Sequence, residues 1–139
     1  PVETKLPTQQ HVLYVEDNAA NLRLVQHLFE RLDNVTLLSA SNAELGIELA
    51  KSKQPDLILL DINLPGMDGY AALSRLRNLE VTSHIPVIAI SAAAMPRDIE
   101  RGLAAGFRRY ITKPIQVVDL LEAVENELGQ ASIWPNASV

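Results

Sequence analysis

The stretch from Asp56 to Gly69 constrains this chain most. Leu57 to Leu60 form a continuous apolar run that ends on Asp61, and Pro65, Gly66 and Gly69 follow at once. Consecutive apolar residues of this kind read as a strand buried on both faces, the kind found in a parallel sheet. The proline and glycines read as a loop. A charge at the carboxyl end of a buried strand lies where open α/β sheets place their ligand crevice. Asp61 is therefore the expected chemical centre.

The rest of the chain repeats the same plan. Apolar runs at 12–15, 35–40, 87–90 and 109–112 read as four more strands. Between them lie helical patterns. Leu22, Val25, Phe29 and Leu32 share one face of the first. Ser41 and Glu44 have capping-box spacing ahead of Ile47 and Ala50, with Leu45 and Leu49 nearby. Pro55 ends that second helix. A third runs from about Tyr70 to Leu79, with Leu73 and Leu76 inward. Pro96 fits the first turn of a fourth, which stops at Gly106. The last carries Val117, Leu120, Leu121, Val124 and Leu128, and Gly129 ends it. Five strands alternating with five helices call for a parallel sheet covered on both faces through right-handed crossovers. One domain is expected over 10–129, between a linker at 1–9 and a tail at 130–139 that holds Trp134. The chain starts at Pro1 rather than methionine, so it reads as a segment of a longer protein.

Composition removes several classes of function. The 139 residues suffice for one hydrophobic core. A formal net charge of −5 gives no general attraction to nucleic acid or anionic lipid. No apolar run is long enough for a membrane span, and no signal peptide is visible. The absence of cysteine removes disulfides and thiolate chemistry and fits a reducing, cytoplasmic location. His11, His27 and His84 lack metal-ligand spacing, and Met67 and Met95 read as packing or loop residues.

Four strand ends carry polar groups: Glu16 with Asp17, then Asp61, Ser91 and Lys113. A parallel sheet gathers such ends at one edge. Each has a bland reading alone. The acidic pair reads as a cap or solvated charge, Ser91 as a cap hydroxyl, Lys113 as surface. Their shared position at the same end of separate strands gives them a joint meaning. Clustered carboxylates repel one another unless a cation joins them, and their hard oxygens suit Mg2+. Asp17 and Asp61 are the expected ligands, with Glu16 adjacent, and a backbone carbonyl near Asn63 would supply another oxygen. No glycine-rich phosphate loop is present. Lys113 and Ser91 would instead surround a phosphoryl group on Asp61, since a carboxylate can form an aspartyl-phosphate. Catalysis would then be positioning and charge neutralisation.

Four segments together resemble the receiver domain of bacterial two-component response regulators and hybrid sensor histidine kinases. They are Val12 to Asn18, Leu59 to Gly69, Pro86 to Ala92, and Tyr110 to Pro114. The resemblance spans about residues 10–128. It implies a flavodoxin-like, doubly wound sheet in the order 2-1-3-4-5. It also implies that Asp61 accepts a phosphoryl group from a phosphohistidine on a histidine kinase or histidine phosphotransfer protein. Glu16 and Asp17 would hold Mg2+ with Asp61. Ser91 would bind a phosphoryl oxygen, Lys113 would pair with the phosphoryl group, and Tyr110 would be the aromatic switch residue. The Lys113-Pro114 bond would be cis. Such a domain assists its own phosphorylation and dephosphorylation. The face over 96–128 would serve partner binding or a receiver homodimer. No direct nucleic-acid contact is expected. Nothing resembling an output domain follows, which suggests an excised receiver or a single-domain regulator. Phe107, Arg108 and Arg109 depart from the commonest pattern. The basic pair reads either as a partner contact or as a solvated edge. Asn63 and Ala93 occupy positions that affect phosphate lifetime in the family. Two rival readings stand. One is a Mg2+-dependent phosphatase with an aspartyl-phosphate intermediate, although Asn63 sits where an acid would be needed. The other is a non-phosphorylated pseudo-receiver that only binds protein.

Overall fold

A computed structural model describes residues 9–129. Five strands, β1 (Gln10–Val15), β2 (Val35–Ala40), β3 (Leu57–Asp61), β4 (Val87–Ser91) and β5 (Arg109–Thr112), alternate with five helices. The helices are α1 (Ala19–Glu30), α2 (Ala43–Lys53), α3 (Gly69–Asn78), α4 (Pro96–Ala105) and α5 (Val117–Leu128). All strand pairings are parallel, in the order β2-β1-β3-β4-β5. This is the flavodoxin-like α/β arrangement.

The central strand explains the two-sided core. Every residue of β3 is buried, and successive side chains point to opposite faces. Leu57 and Leu59 join a cluster with Val25 and Phe29 of α1 and Leu120, Leu121 and Val124 of α5. Ile58 and Leu60 join another with Ile47 of α2 and Leu73 and Leu76 of α3. Full burial of each such side chain contributes about 1.5–3 kcal/mol. A polar replacement anywhere in this run would therefore strike one cluster or the other.

Helix ends largely follow the expected punctuation. Gly106 and Gly129 end α4 and α5, both in the left-handed region. One cap differs from expectation. Asn42, not Ser41, caps α2, and its side-chain oxygen accepts from Leu45 N at 2.8 Å. Asn42 has extended backbone, so Ala43 is the first helical residue and Glu44 the second. Asparagine and serine are equally good caps, and the chain turns one residue later than the spacing implied. Leu45 then faces water at 51 % exposure, whereas Ile47 and Ala50 are buried. Val117, at the start of α5, is also exposed, unlike Leu120, Leu121, Val124 and Leu128.

The register sets the functional edge. Val15 lies beside Leu60, so Glu16 follows at the level of Asp61. Asp61 lies beside Ile90, and Ser91 beside Thr112, which places Lys113 next in line. Gly69 closes the loop beneath this edge. Its N–H donates to Ile62 O at 2.8 Å. A Cβ there would stand 2.6 Å from Ile62 Cα and 3.1 Å from Asp61 O. Any larger residue would push the backbone carrying Asp61.

The expected linker at 1–9 and the tail at 130–139 with Trp134 lie, except for Gln9, outside the described residues. Gln9 already hydrogen-bonds Thr36 of β2 through its side chain. Among the described residues no helix is long and apolar enough to cross a membrane.

Candidate functional site

The carboxyl edge of the sheet carries a compact set of charges. Glu16 and Asp61 are almost completely buried, at 1 % and 2 % exposure. Asp17, next along the loop, is exposed. One carboxylate oxygen from each of these three residues lies within 4.8 Å of the others. Three hard oxygen donors from the carboxyl ends of two strands, with Asp17 open to water, form a set that a small divalent cation fits.

Lys113 bridges the buried pair. Its Nζ lies 3.0 Å from Asp61 Oδ2 and 3.1 Å from Glu16 Oε1. The other oxygen of Asp61, Oδ1, accepts from Asn63 N at 3.0 Å. Glu16 has more donors. Its Oε1 also accepts from Tyr14 OH at 2.8 Å and Asn21 Nδ2 at 3.2 Å. Its Oε2 accepts from Asn18 N at 3.4 Å.

This unequal solvation divides the two acids. Burial and the neighbouring Glu16 push the Asp61 carboxyl up from 3.8 to about 6, against the pull of Lys113 and Asn63. Burial also works against the charge on Glu16, but bonds from Asp61, Tyr14 and Lys113 outweigh it and hold Glu16 below its ordinary range. Burial opposes the charge on Lys113, and the two carboxylates more than compensate, so its ammonium is favoured. The pocket therefore holds one firmly ionised acid, one strained acid and one cation. A charge added or removed at Asp61 is felt directly by the other two.

Ser91 is buried at the end of β4. Its Oγ accepts from Ala93 N at 3.0 Å and from Asn63 Nδ2 at 3.3 Å. The cap-like role that Ser91 has when read alone thus coexists with a place beside the pocket. Tyr110 sits one layer further out, on β5. Its hydroxyl donates to Ala93 O at 2.7 Å, and its ring packs against α4 at Gly102. A Cβ on Gly102 would stand 2.6 Å from the ring carbon Cδ2. Gly102 is the one buried residue of α4. Ser91, Ala93 and Tyr110 thus form a chain of contacts from the pocket towards that helix.

Tyr14, Asn18 and Asn21 were not foreseen as site residues. Tyr14 passes as one more hydrophobe in the run 12–15. The usable signal is its hydroxyl: a buried phenol needs an acceptor, and Glu16 follows two positions later. Away from the pocket, Arg108 pairs with Glu127 at 2.9 Å, an intramolecular bond at an exposed edge. Phe107 is buried and meets Tyr70 edge-on at 5.7 Å. The Lys113-Pro114 bond is cis.

A doubly wound sheet with an acidic, lysine-bridged pocket at its carboxyl edge defines a signalling receiver. The chain belongs to the response regulator receiver domain family, whose model matches residues 12–125. It is a domain of the two-component signalling class. It is 41 % identical over 120 residues to the polar-differentiation response regulator DivK of Brucella ovis, covering 86 % of this chain and 97 % of that one. Among solved structures it is similar to the receiver domain of a sensor histidine kinase from Pseudomonas aeruginosa, which has a magnesium ion coordinated in its active site cleft. That match has a TM-score of 0.79 at 29 % identity, over 88 % of this chain and all of the other. A response regulator from Chloroflexus aurantiacus gives a TM-score of 0.81 at 24 % identity, over 88 % of this chain and all of that one, which speaks to the fold alone.

Proposed function

We propose that this domain is a phosphoryl-accepting switch in a two-component phosphorelay. Asp61 takes the phosphoryl group from a phosphohistidine on a histidine kinase or histidine phosphotransfer protein. The observation that carries this reading is the buried Asp61 carboxylate, bridged by Lys113 at 3.0 Å and clustered with two further acids. In the transfer a carboxylate oxygen attacks phosphorus, the N–P bond breaks, and the imidazole leaves. Asp61 needs to be ionised for this, and Lys113 favours that form. Lys113 then neutralises charge on the phosphoryl oxygens, where most of the catalysis lies.

Glu16, Asp17 and Asp61 would hold Mg2+, with the backbone carbonyl of Asn63 as a further oxygen. When bound, Mg2+ supplies positive charge that relieves the repulsion among the carboxylates and offsets the incoming phosphoryl charge. The magnesium in the Pseudomonas receiver supports this assignment. Ser91 would turn its hydroxyl to a phosphoryl oxygen, giving up its present bonds to Ala93 and Asn63. Tyr110, held by Ala93 and seated on Gly102, would follow. Phosphorylation adds about −1.5 to −2 charges and biases an existing equilibrium. The readout surface is then the 96–128 face, where Leu103 and Val118 are exposed. A partner or a second receiver would bind there.

The test uses a phosphorylated histidine phosphotransfer protein as donor. Label is expected to move to the parent domain with Mg2+ present, and not to Asp61→Asn. Transfer to Asp61→Asn at the parent rate would overturn the assignment. Steady turnover of small phosphomonoesters would favour the phosphatase reading. Absence of transfer, with binding to the donor retained, would favour the pseudo-receiver.

A further inference from the structure

Tyr14 is fully buried in the core yet ends in a hydroxyl aimed at Glu16. Residues 14 and 16 lie two apart along the β1 direction, and the Glu16 N–H continues the ladder by donating to Ala40 O at 3.0 Å. Period-2 geometry therefore puts the phenol and the carboxylate on one side of the sheet. From the first turn of α1, Asn21 reaches the same oxygen. Lys113 is the third donor to it.

The two oxygens of Glu16 are thus not equivalent. Oε1 faces Tyr14 OH, Asn21 Nδ2 and Lys113 Nζ, all within 3.2 Å. An oxygen so engaged has no free lone pair for a cation. Oε2 has one long contact, from Asn18 N at 3.4 Å. We propose that Tyr14 and Asn21 are positioning residues that clamp Glu16 through Oε1 and leave Oε2 as the oxygen that a divalent cation meets, directly or through water. Glutamate is longer than aspartate and has one more rotatable bond. A clamp removes rotamers that cation binding would otherwise have to freeze. Partners behind a metal ligand typically matter in this way. The inference rests on the metal assignment proposed above and adds two residues to it.

Tyr14→Phe keeps the ring in the core and removes only the donor. Mg2+ binding is measured by calorimetric titration of the parent, Tyr14→Phe and Asn21→Ala. Melting in EDTA is measured alongside. The parent binds Mg2+, and each variant binds about 10-fold more weakly. A slowly exchanging phenolic proton of Tyr14 shifts in the NMR spectrum as Mg2+ is added. A purely structural hydroxyl would lower the melting temperature of Tyr14→Phe and leave Mg2+ affinity unchanged. That result in both variants, or a phenolic proton indifferent to Mg2+, overturns the clamp and leaves the metal site standing. Failure of the parent to bind Mg2+ overturns both. If Tyr14→Phe does not fold, Asn21→Ala and the phenolic proton of the parent still decide.

Discussion

Asp61 and Glu16 lie side by side, yet their environments drive them in opposite directions. Glu16 collects four donors and Asp61 two. The signs follow from linkage. Asp61 is raised from 3.8 to about 6, so the folded state holds its proton more tightly than the unfolded state does. Its stabilising effect is present at acid pH and is lost as pH rises through about 6. Glu16 is lowered, so its contribution is present above 4.5 and is lost as pH falls below that value. Removing the Asp61 charge should therefore stabilise the metal-free fold at neutral pH. In EDTA, Asp61→Asn is expected to melt several degrees above the parent at pH 7.5, with the gap closing towards pH 5. A gap that is absent, reversed or independent of pH would contradict this electrostatic account. The acids and the lysine were legible in the sequence because they end strands. Tyr14 and Asn21 were not, because a run of hydrophobes hides a phenol, and an asparagine at a helix entrance passes as a capping residue.

At the level of elements, strands and glycine stops were readable because period and punctuation coincide. Strand β5 and helix α4 fall at the expected residues, 109–112 and 96–105. The start of α2 was displaced by one residue because Ser41 and Asn42 both satisfy the same chemistry. Only backbone conformation chooses between them. Replacing the true cap should cost about 1 kcal/mol. Denaturant melts of Asn42→Ala should show that loss, with Ser41→Ala near the parent. A larger loss at Ser41 would return the cap to the earlier position. How loosely α4 is held was also hidden. Its pattern predicts a helix, but only Gly102 is buried, beneath the Tyr110 ring. Arg101 adds a contact over the Tyr70 ring at 4.1 Å, so under the proposed switch a helix this lightly buried would shift when Tyr110 moves.

Across the whole molecule, function depends on the sheet order more than on any one segment. Glu16, Asp61 and Lys113 come from the ends of the first, third and fifth strands, and Asp61 and Lys113 are 52 residues apart in sequence. Parallel pairing in register is what brings their charges within 3.1 Å of a common nitrogen. Such a cluster is costly unless it has a use, because its acids repel and are largely shielded from water. On the proposed reading the cluster holds a reactive carboxylate ready for phosphate. Intact mass after incubation with Mg2+ and a small phosphodonor such as acetyl phosphate reads this out directly. The parent should gain one phosphoryl group, and Asp61→Asn none. An unmodified parent, or the same gain in both proteins, would contradict the account.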